Sequence, residues 1–359
     1  MKRILCIIDS LGAGGAQRQI VGLATFLKEK GYDVVVAIYH PELFYADTLI
    51  SRGVPYVFLK KAKRSISRIY YIARYIRRFK PNVVISFLST PCICACLATL
   101  TNHNFKLIVS ERNTTQHTGH NENIRFRLFR RARYIVPNAF AQEDYIKRSF
   151  PELSNKVVTI PNFVDLQQFT PPQHKNRKKV PEIIIVATIW PSKNTLGFID
   201  AVVALKKKGH QFHVSWYGKD KSNIEYFNEC IKKIEEFGCK DSIELKEKTT
   251  RICERYQEAD YFCLPSFYEG TPNVICEAMA CGLPIACSDV CDNSRYVVDK
   301  KNGYLFNPKE TATIVAAFEK LFALSDEDYW RFCTNSKTIA AEKLSKDRFV
   351  ESYIKLIEA

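Results

Sequence analysis

No apolar segment of this 359-residue chain approaches the roughly 20 residues that a membrane-spanning helix requires, so a soluble or peripheral protein is expected. The run Ile4 to Ile8 follows Lys2 and Arg3 as a secretory leader would, but Asp9 closes it too early, and it reads as a first buried strand. Among the 13 cysteines no CxxC pair repeats with zinc-ligand spacing, which excludes a zinc module. Cys92, Cys94 and Cys96, alternating in an apolar stretch, read as ordinary buried thiols of a protein kept in a reducing cytoplasm. Internal repeats, low-complexity segments and RNP motifs are also missing. The acid-x-acid stretch Asp326-Glu327-Asp328 after Ser325 reads as a helix cap with a capping box and not as a metal site.

Acidic residues are scarce in the first half only. Residues 1 to 172 carry 25 Lys and Arg against 11 Asp and Glu, while residues 173 to 359 carry 28 against 27, so nearly all of the net +15 lies in the first half. That asymmetry points to a polyanionic partner of the first half: anionic lipid, a diphosphate-bearing substrate or nucleic acid. The helix expected over Arg64 to Phe79 concentrates it. Its inward side is expected to hold Ile66, Ile69, Ile72, Ala73, Ile76 and Phe79; Arg64, Arg68, Arg74, Arg77 and Arg78 share the other side with three tyrosines. Lys60, Lys61 and Lys63 precede it, and Arg125, Arg127, Arg130, Arg131 and Arg133 form a second cluster. Arginines interleaved with tyrosines suit an anionic membrane surface or a lipid diphosphate.

What is present in both halves is an α/β alternation. Short apolar runs such as Val34 to Ile38, Val83 to Leu88, Lys106 to Val109, Ile183 to Ala187 and Phe212 to Tyr217 are separated by helical patterns and polar loops. Parallel sheets follow from that pattern, and the length calls for two domains. The Gly-rich turn Gly12-Ala-Gly14-Gly15-Ala16-Gln17-Arg18 suits a phosphate at a helix amino end. It is not the dinucleotide fingerprint, because Gln17 stands where glycine would be wanted and no acid ends the second strand, so NAD is disfavoured.

The most informative stretch runs from Leu264 to Ser288. A buried strand over Tyr261 to Leu264 enters a polar loop; a helix should start at Pro272 and reach about Cys281, Gly282 ends it, and Leu283 to Cys287 reads as the next strand. The backbone N–H groups of Gly270, Thr271 and Asn273 lie at the positive end of that helix, and Glu269 and Glu277 can accept hydrogen bonds from sugar hydroxyls. Val274, Ala278, Met279, Cys281 and Leu283 make the helix largely apolar, which is poor company for a glutamate unless it has a task.

Glu269-Gly270-x-Pro272, seven residues between the two glutamates, and Glu277-Ala278-Met279-Ala280-x-Gly282-x-Pro284 resemble the signature of the GT4 family of retaining glycosyltransferases. The resemblance implies the GT-B fold, two Rossmann-like domains facing a cleft, with donor contacts by Glu269 to the sugar and by Glu277 to the nucleotide ribose. Gly14-Gly15-Ala16-x-Arg18 is similar to the family's first loop, which lies against the donor diphosphate and the acceptor. Lys193 matches a lysine that neutralises the leaving diphosphate, whereas Thr188 stands where the family has an arginine, a loss for which Arg18 could compensate. The base-binding backbone is implied near Thr250 to Ile252, hence Arg251. Ser110-Glu111-Arg112-Asn113 resembles a variant found in surface-polysaccharide transferases, which puts Arg112 and Asn113, with Arg18, near the acceptor; His117 and His120 read as surface groups. By the same resemblance residues 1–172 form the acceptor domain, 173–340 the nucleotide-sugar domain, and 341–359 a helix crossing back.

The implied reaction moves a hexose or N-acetylhexosamine from a nucleotide sugar, UDP-linked by preference, to a glycan on a polyprenyl diphosphate, in cell-surface polysaccharide synthesis at the inner face of the plasma membrane. No metal or other cofactor and no nucleic acid is expected. Arg68, Arg74 and Arg78 are the expected membrane contacts. Two rival classes stay open: a glycoside hydrolase using the glutamate pair, and a basic binding module without catalysis.

Overall fold

A computed structural model of the chain describes residues 1–62, 64–102, 104–112, 119–219 and 223–359. Lys63, Asn113 and His117 lie outside the described residues. The chain divides into two compact units, Met1–Phe163 with Lys346–Ala359, and Val164–Ser345. The sequence reading sets the passage at 172/173 and the closing segment at 341.

The first unit is a parallel sheet of β1 (Arg3–Ile7), β2 (Asp33–Ile38), β3 (Tyr56–Phe58), β4 (Val83–Phe87), β5 (Lys106–Glu111) and β6 (Tyr134–Pro137), in spatial order 3-2-1-4-5-6. The second repeats that order with β7 (Glu182–Val186), β8 (His213–Lys219), β9 (Ile243–Glu247), β10 (Tyr261–Leu264), β11 (Ile285–Ser288) and β12 (Gly303–Phe306), running β12-β11-β10-β7-β8-β9. Both are the doubly wound arrangement. In each sheet the first strand pairs on both sides, β1 with β2 and β4, β7 with β8 and β10, so the order reverses there. Such a reversal opens a crevice at the carboxyl edge, where helices diverge to opposite faces.

The strands read as continuous apolar runs because both faces are buried. On β1, Ile4 and Cys6 feed one core and Leu5 and Ile7 the other; on β7, Ile183 and Ile185 face one core and Ile184 the opposite one. Truncating Ile185, which is fully buried, to alanine should cost about 2–5 kcal/mol. The C-terminal helix, Lys346–Glu358, belongs to the first unit because Phe349, Val350, Tyr353 and Ile357 enter its core.

Eleven of the thirteen cysteines are buried and none is in a disulfide; burial pushes the Cys6 thiol up to about 12 and raises those of Cys263 and Cys287 as well, so these are unreactive packing groups. Ser325 caps helix Asp326–Leu344, its hydroxyl accepting from the Asp328 N–H, as read from the sequence. Among the described residues no helix is long and apolar enough to cross a membrane.

Helix Ser65–Phe79 departs from expectation at several positions; Tyr71 and Tyr75, expected with the arginines, pack against the core. Ile66, expected inward, is 84% exposed, while Arg68, expected outward, lays its guanidinium 4.2 Å from the centre of the Tyr39 ring. Helical geometry explains both: relative to buried Ile72, Arg68 lies about 40° around the helix and Ile66 about 120°, at 100° per residue. Arg74, Arg77 and Arg78 are exposed as expected.

Candidate active site

In the second unit the loops that leave β7 and β10 flank the strand-order reversal. Close approach fixes the first of them. A Cβ on Gly218 would stand 1.8 Å from the Ala187 carbonyl oxygen and 2.9 Å from the Thr188 nitrogen, so β8 can pass this loop only as glycine. A Gly218→Ala variant should therefore lose stability by more than about 1 kcal/mol in urea unfolding, and displace the segment leading to Lys193. Pro191–Lys193 is a single 3-10 turn, and buried Asn194, in the left-handed region at φ 56°, starts helix Thr195–Lys207 while its amide donates to the Pro308 carbonyl at 2.8 Å.

The second loop is tied to the first by backbone. The Phe267 N–H donates to the Ser192 carbonyl at 2.9 Å, and the hydroxyl of fully buried Ser288, at the end of β11, donates to the carbonyls of Leu264 and Ser266. These bonds bring Lys193 and Glu269 together: Nζ lies 2.6 Å from Oε1, with side chains 25% and 13% exposed. Helix Asn273–Ala280 follows, starting where Pro272 predicts and ending before Gly282, whose φ of 79° is a left-handed conformation suited to glycine. No acidic residue occupies its first turn. Glu277 is 4% exposed, one turn in, and its Oε2 accepts from the hydroxyl of Tyr256, which is itself fully buried, at 3.2 Å. Gly270 and Thr271 lie in the loop between Glu269 and the helix, Thr271 buried.

Arg251, just before helix Ile252–Glu258, is exposed and paired with Glu254. Trp190, Phe267 and Tyr268, about 40% exposed, border Lys193 and Glu269 along the chain; aromatic residues in polar loops are a sequence signal that the motif-based reading leaves unused. Tyr256 has no such signal, since nothing in its spacing ties it to Glu277.

In the first unit Gly14 caps helix Gly15–Glu29, whose first turn also lacks an acidic side chain, and Arg18 lies one turn in. The chain there crosses the carboxyl edge of β1 beside β4, where Leu88 takes φ 72° and ψ 155°, a conformation all but reserved for glycine. Arg112, expected at the acceptor, is turned inward. Its guanidinium donates to Asn162 Oδ1 at 2.5 Å and to the Tyr353 hydroxyl at 2.7 Å and stacks 4.0 Å over the Phe87 ring; burial lowers its pKa. It clamps the end of β5 to the C-terminal helix. Arg125 too is internal, 3.4 Å from Glu111, with side chains 9% and 1% exposed. Replacing Arg125 with methionine should lower the unfolding free energy by roughly 3–5 kcal/mol, because it removes a cation 3.4 Å from a buried carboxylate. His120 is exposed.

Comparison with known proteins agrees with the fold. Residues 13–168 match the family model described as glycosyltransferase family 4, and residues 167–338 the model described as glycosyl transferases group 1. An α-1,4-N-acetyl-D-galactosaminyltransferase of Campylobacter jejuni, named for its undecaprenol-diphosphate-linked acceptor, is 23% identical over 99% of this chain and 98% of its own length. A UDP-Gal:α-D-GlcNAc-diphosphoundecaprenol α-1,3-galactosyltransferase of Escherichia coli is 25% identical over 46% of this chain and 45% of its own. Among solved structures, Anabaena HepE in complex with UDP and glucose superposes with a TM-score of 0.86 at 15% identity, covering all of both chains. Both family models describe transferases, which sets aside the hydrolase reading of the two glutamates. With its two doubly wound sheets and its paired glutamates, the chain belongs to the GT4 family of GT-B-fold glycosyltransferases.

Proposed function

We propose that the enzyme transfers a hexose or N-acetylhexosamine, with retention at the anomeric carbon, from a UDP-linked donor to a glycan carried on a polyprenyl diphosphate. The observation that carries this is the Lys193–Glu269 pair at the order reversal of the second sheet, one loop away from the acid-free amino end of helix Asn273–Ala280. The costly event in such a transfer is departure of the nucleoside diphosphate, and fixed positive charge lowers its barrier. In this reading Lys193 and the helix end, with the N–H groups of Gly270, Thr271 and Asn273, take the departing phosphates. Glu269 meets the sugar and Glu277 the ribose. The backbone at Arg251 meets the base.

The preference for UDP is supported by the name of the Escherichia coli relative, and that for a lipid-linked acceptor by the names of both relatives. The positive charge assigned to Lys193 makes a divalent metal unnecessary in this account. Incubating the protein with a panel of nucleotide sugars and a synthetic polyprenyl-diphosphate glycan, in EDTA, should give an α-linked product by NMR. Dependence on added Mg²⁺ or Mn²⁺, or inversion, would count against those two parts of the proposal separately.

The acceptor's location at the inner membrane face is supported by the first unit. Exposed Ile66 and Tyr70, on the helix that follows β3, lie next along the chain to Lys60, Lys61, Arg64 and Arg74, and exposed Leu43 and Phe44 follow the neighbouring strand β2. Apolar tips among cations suit a peripheral protein on anionic lipid. Reversing the charge of Arg74, Arg77 and Arg78 together should reduce sedimentation with phosphatidylglycerol liposomes about tenfold or more, given roughly 1 kcal/mol per basic residue near the surface. Full retention of binding would remove the membrane from the account.

A further inference from the structure

Glu277 is nearly buried in an apolar helix, flanked by Ile275, Cys276, Ala278 and Met279, all buried. A carboxylate so placed needs hydrogen-bond donors that also set its rotation, because an ill-aimed carboxylate gains nothing from a ligand and keeps its desolvation cost. The Tyr256 hydroxyl, 3.2 Å from Oε2, is one such donor. Its ring has no freedom to wander. It is fully buried, with ring centres of Phe169 at 6.1 Å and Phe262 at 6.0 Å. Tyr256 also sits on helix Ile252–Glu258, which begins directly after Arg251, so one short helix links the segment read as base-binding to the carboxylate read as ribose-binding.

We infer that Tyr256 is a positioning residue of the donor site: it aims the Glu277 carboxylate at the ribose hydroxyls and thereby sets the enzyme's preference for ribonucleotide donors. The inference rests on the ribose role given to Glu277 above. Tyr256 itself makes no contact with the ligand. What the bond supplies is orientation of the carboxylate.

The test uses the full-length protein, its Tyr256→Phe variant, and four probes: UDP and GDP, each against its 2′,3′-dideoxy form, titrated calorimetrically. Wild type should bind the ribonucleotide of its preferred base about tenfold or more tightly than the dideoxy form. In Tyr256→Phe the affinity for the ribonucleotide should fall about tenfold while that for the dideoxy form hardly moves, so that the preference collapses. KM for the donor should rise with kcat nearly unchanged. A packing role alone would weaken both forms equally or lower only the melting temperature, and either result would overturn the inference. Should wild type itself draw no distinction between the two forms, the ribose role of Glu277 and this inference fall together, while transferase activity would stand. Absence of transfer from every nucleotide sugar would instead sink the proposed function.

Discussion

Lys193→Ala should lower kcat/KM for sugar transfer by about 100- to 1,000-fold, the loss expected when one preorganised charge that stabilises a transition state is removed. Lys193 ends a 3-10 turn held by the Phe267–Ser192 backbone bond, so its ammonium is delivered to one place without a long entropic search. In the protein by itself the ammonium is already matched by Glu269 at 2.6 Å, which keeps it partly withdrawn from solvent. In the proposed step the anomeric C–O bond breaks with its electron pair passing to the one bridging oxygen and the charge spreading over the β-phosphate, and the ammonium would gain more from that state than from the bound donor. The effect should therefore appear mostly in kcat. Lys193→Arg, which keeps charge but not shape, should recover part of it. In the proposed reaction, with Thr188 standing where family resemblance implies an arginine, this lysine would carry a larger share unless Arg18 compensates, and steady-state kinetics on the two variants measure that share directly.

Glu269→Gln should cost about 100-fold in kcat, with the donor KM shifted far less. The substitution preserves size and one carbonyl oxygen but removes the charge that pairs with Lys193 and that can accept two strong hydrogen bonds from a sugar. Neutralising it leaves the lysine uncompensated in the resting protein and the sugar ring less firmly aimed. Glu277→Gln should show the opposite split, raising the donor KM about tenfold with a smaller change in kcat, because a ribose contact binds substrate and transition state alike. Finding the same profile for both variants would mean that the two carboxylates do not divide the donor between sugar and ribose.

Much of this site is legible in the amino-acid sequence, for a physical reason. Strands buried on both faces leave continuous apolar runs, and the loop from Glu269 to Pro272 is local in sequence, so its chemistry and its placement on a strand, loop and helix can be read together. The Lys193–Glu269 pair is legible only as two separate features; their meeting depends on β10 lying beside β7, which is topology and not local pattern. Three further features escape local pattern. The polar loop around Arg112 suggests a ligand contact, yet Phe87, Asn162 and Tyr353, distant along the chain, take the side chain inside. Arg68 and Ile66 exchange expected sides because an apolar set of this spacing fits a helix within a tolerance wider than the difference between them. Tyr256 is a buried aromatic like many others until Glu277 is placed next to it.

The central claim is that Glu269 and Glu277 grip the two carbohydrate ends of a nucleotide sugar whose diphosphate leaves toward Lys193. Its most direct test is the Glu269→Gln, Glu277→Gln double variant, assayed for donor affinity by calorimetry and for turnover by product formation on the same preparation. The account expects a folded protein with donor affinity reduced about tenfold and turnover reduced at least about 100-fold. Wild-type affinity and turnover in that variant would contradict it.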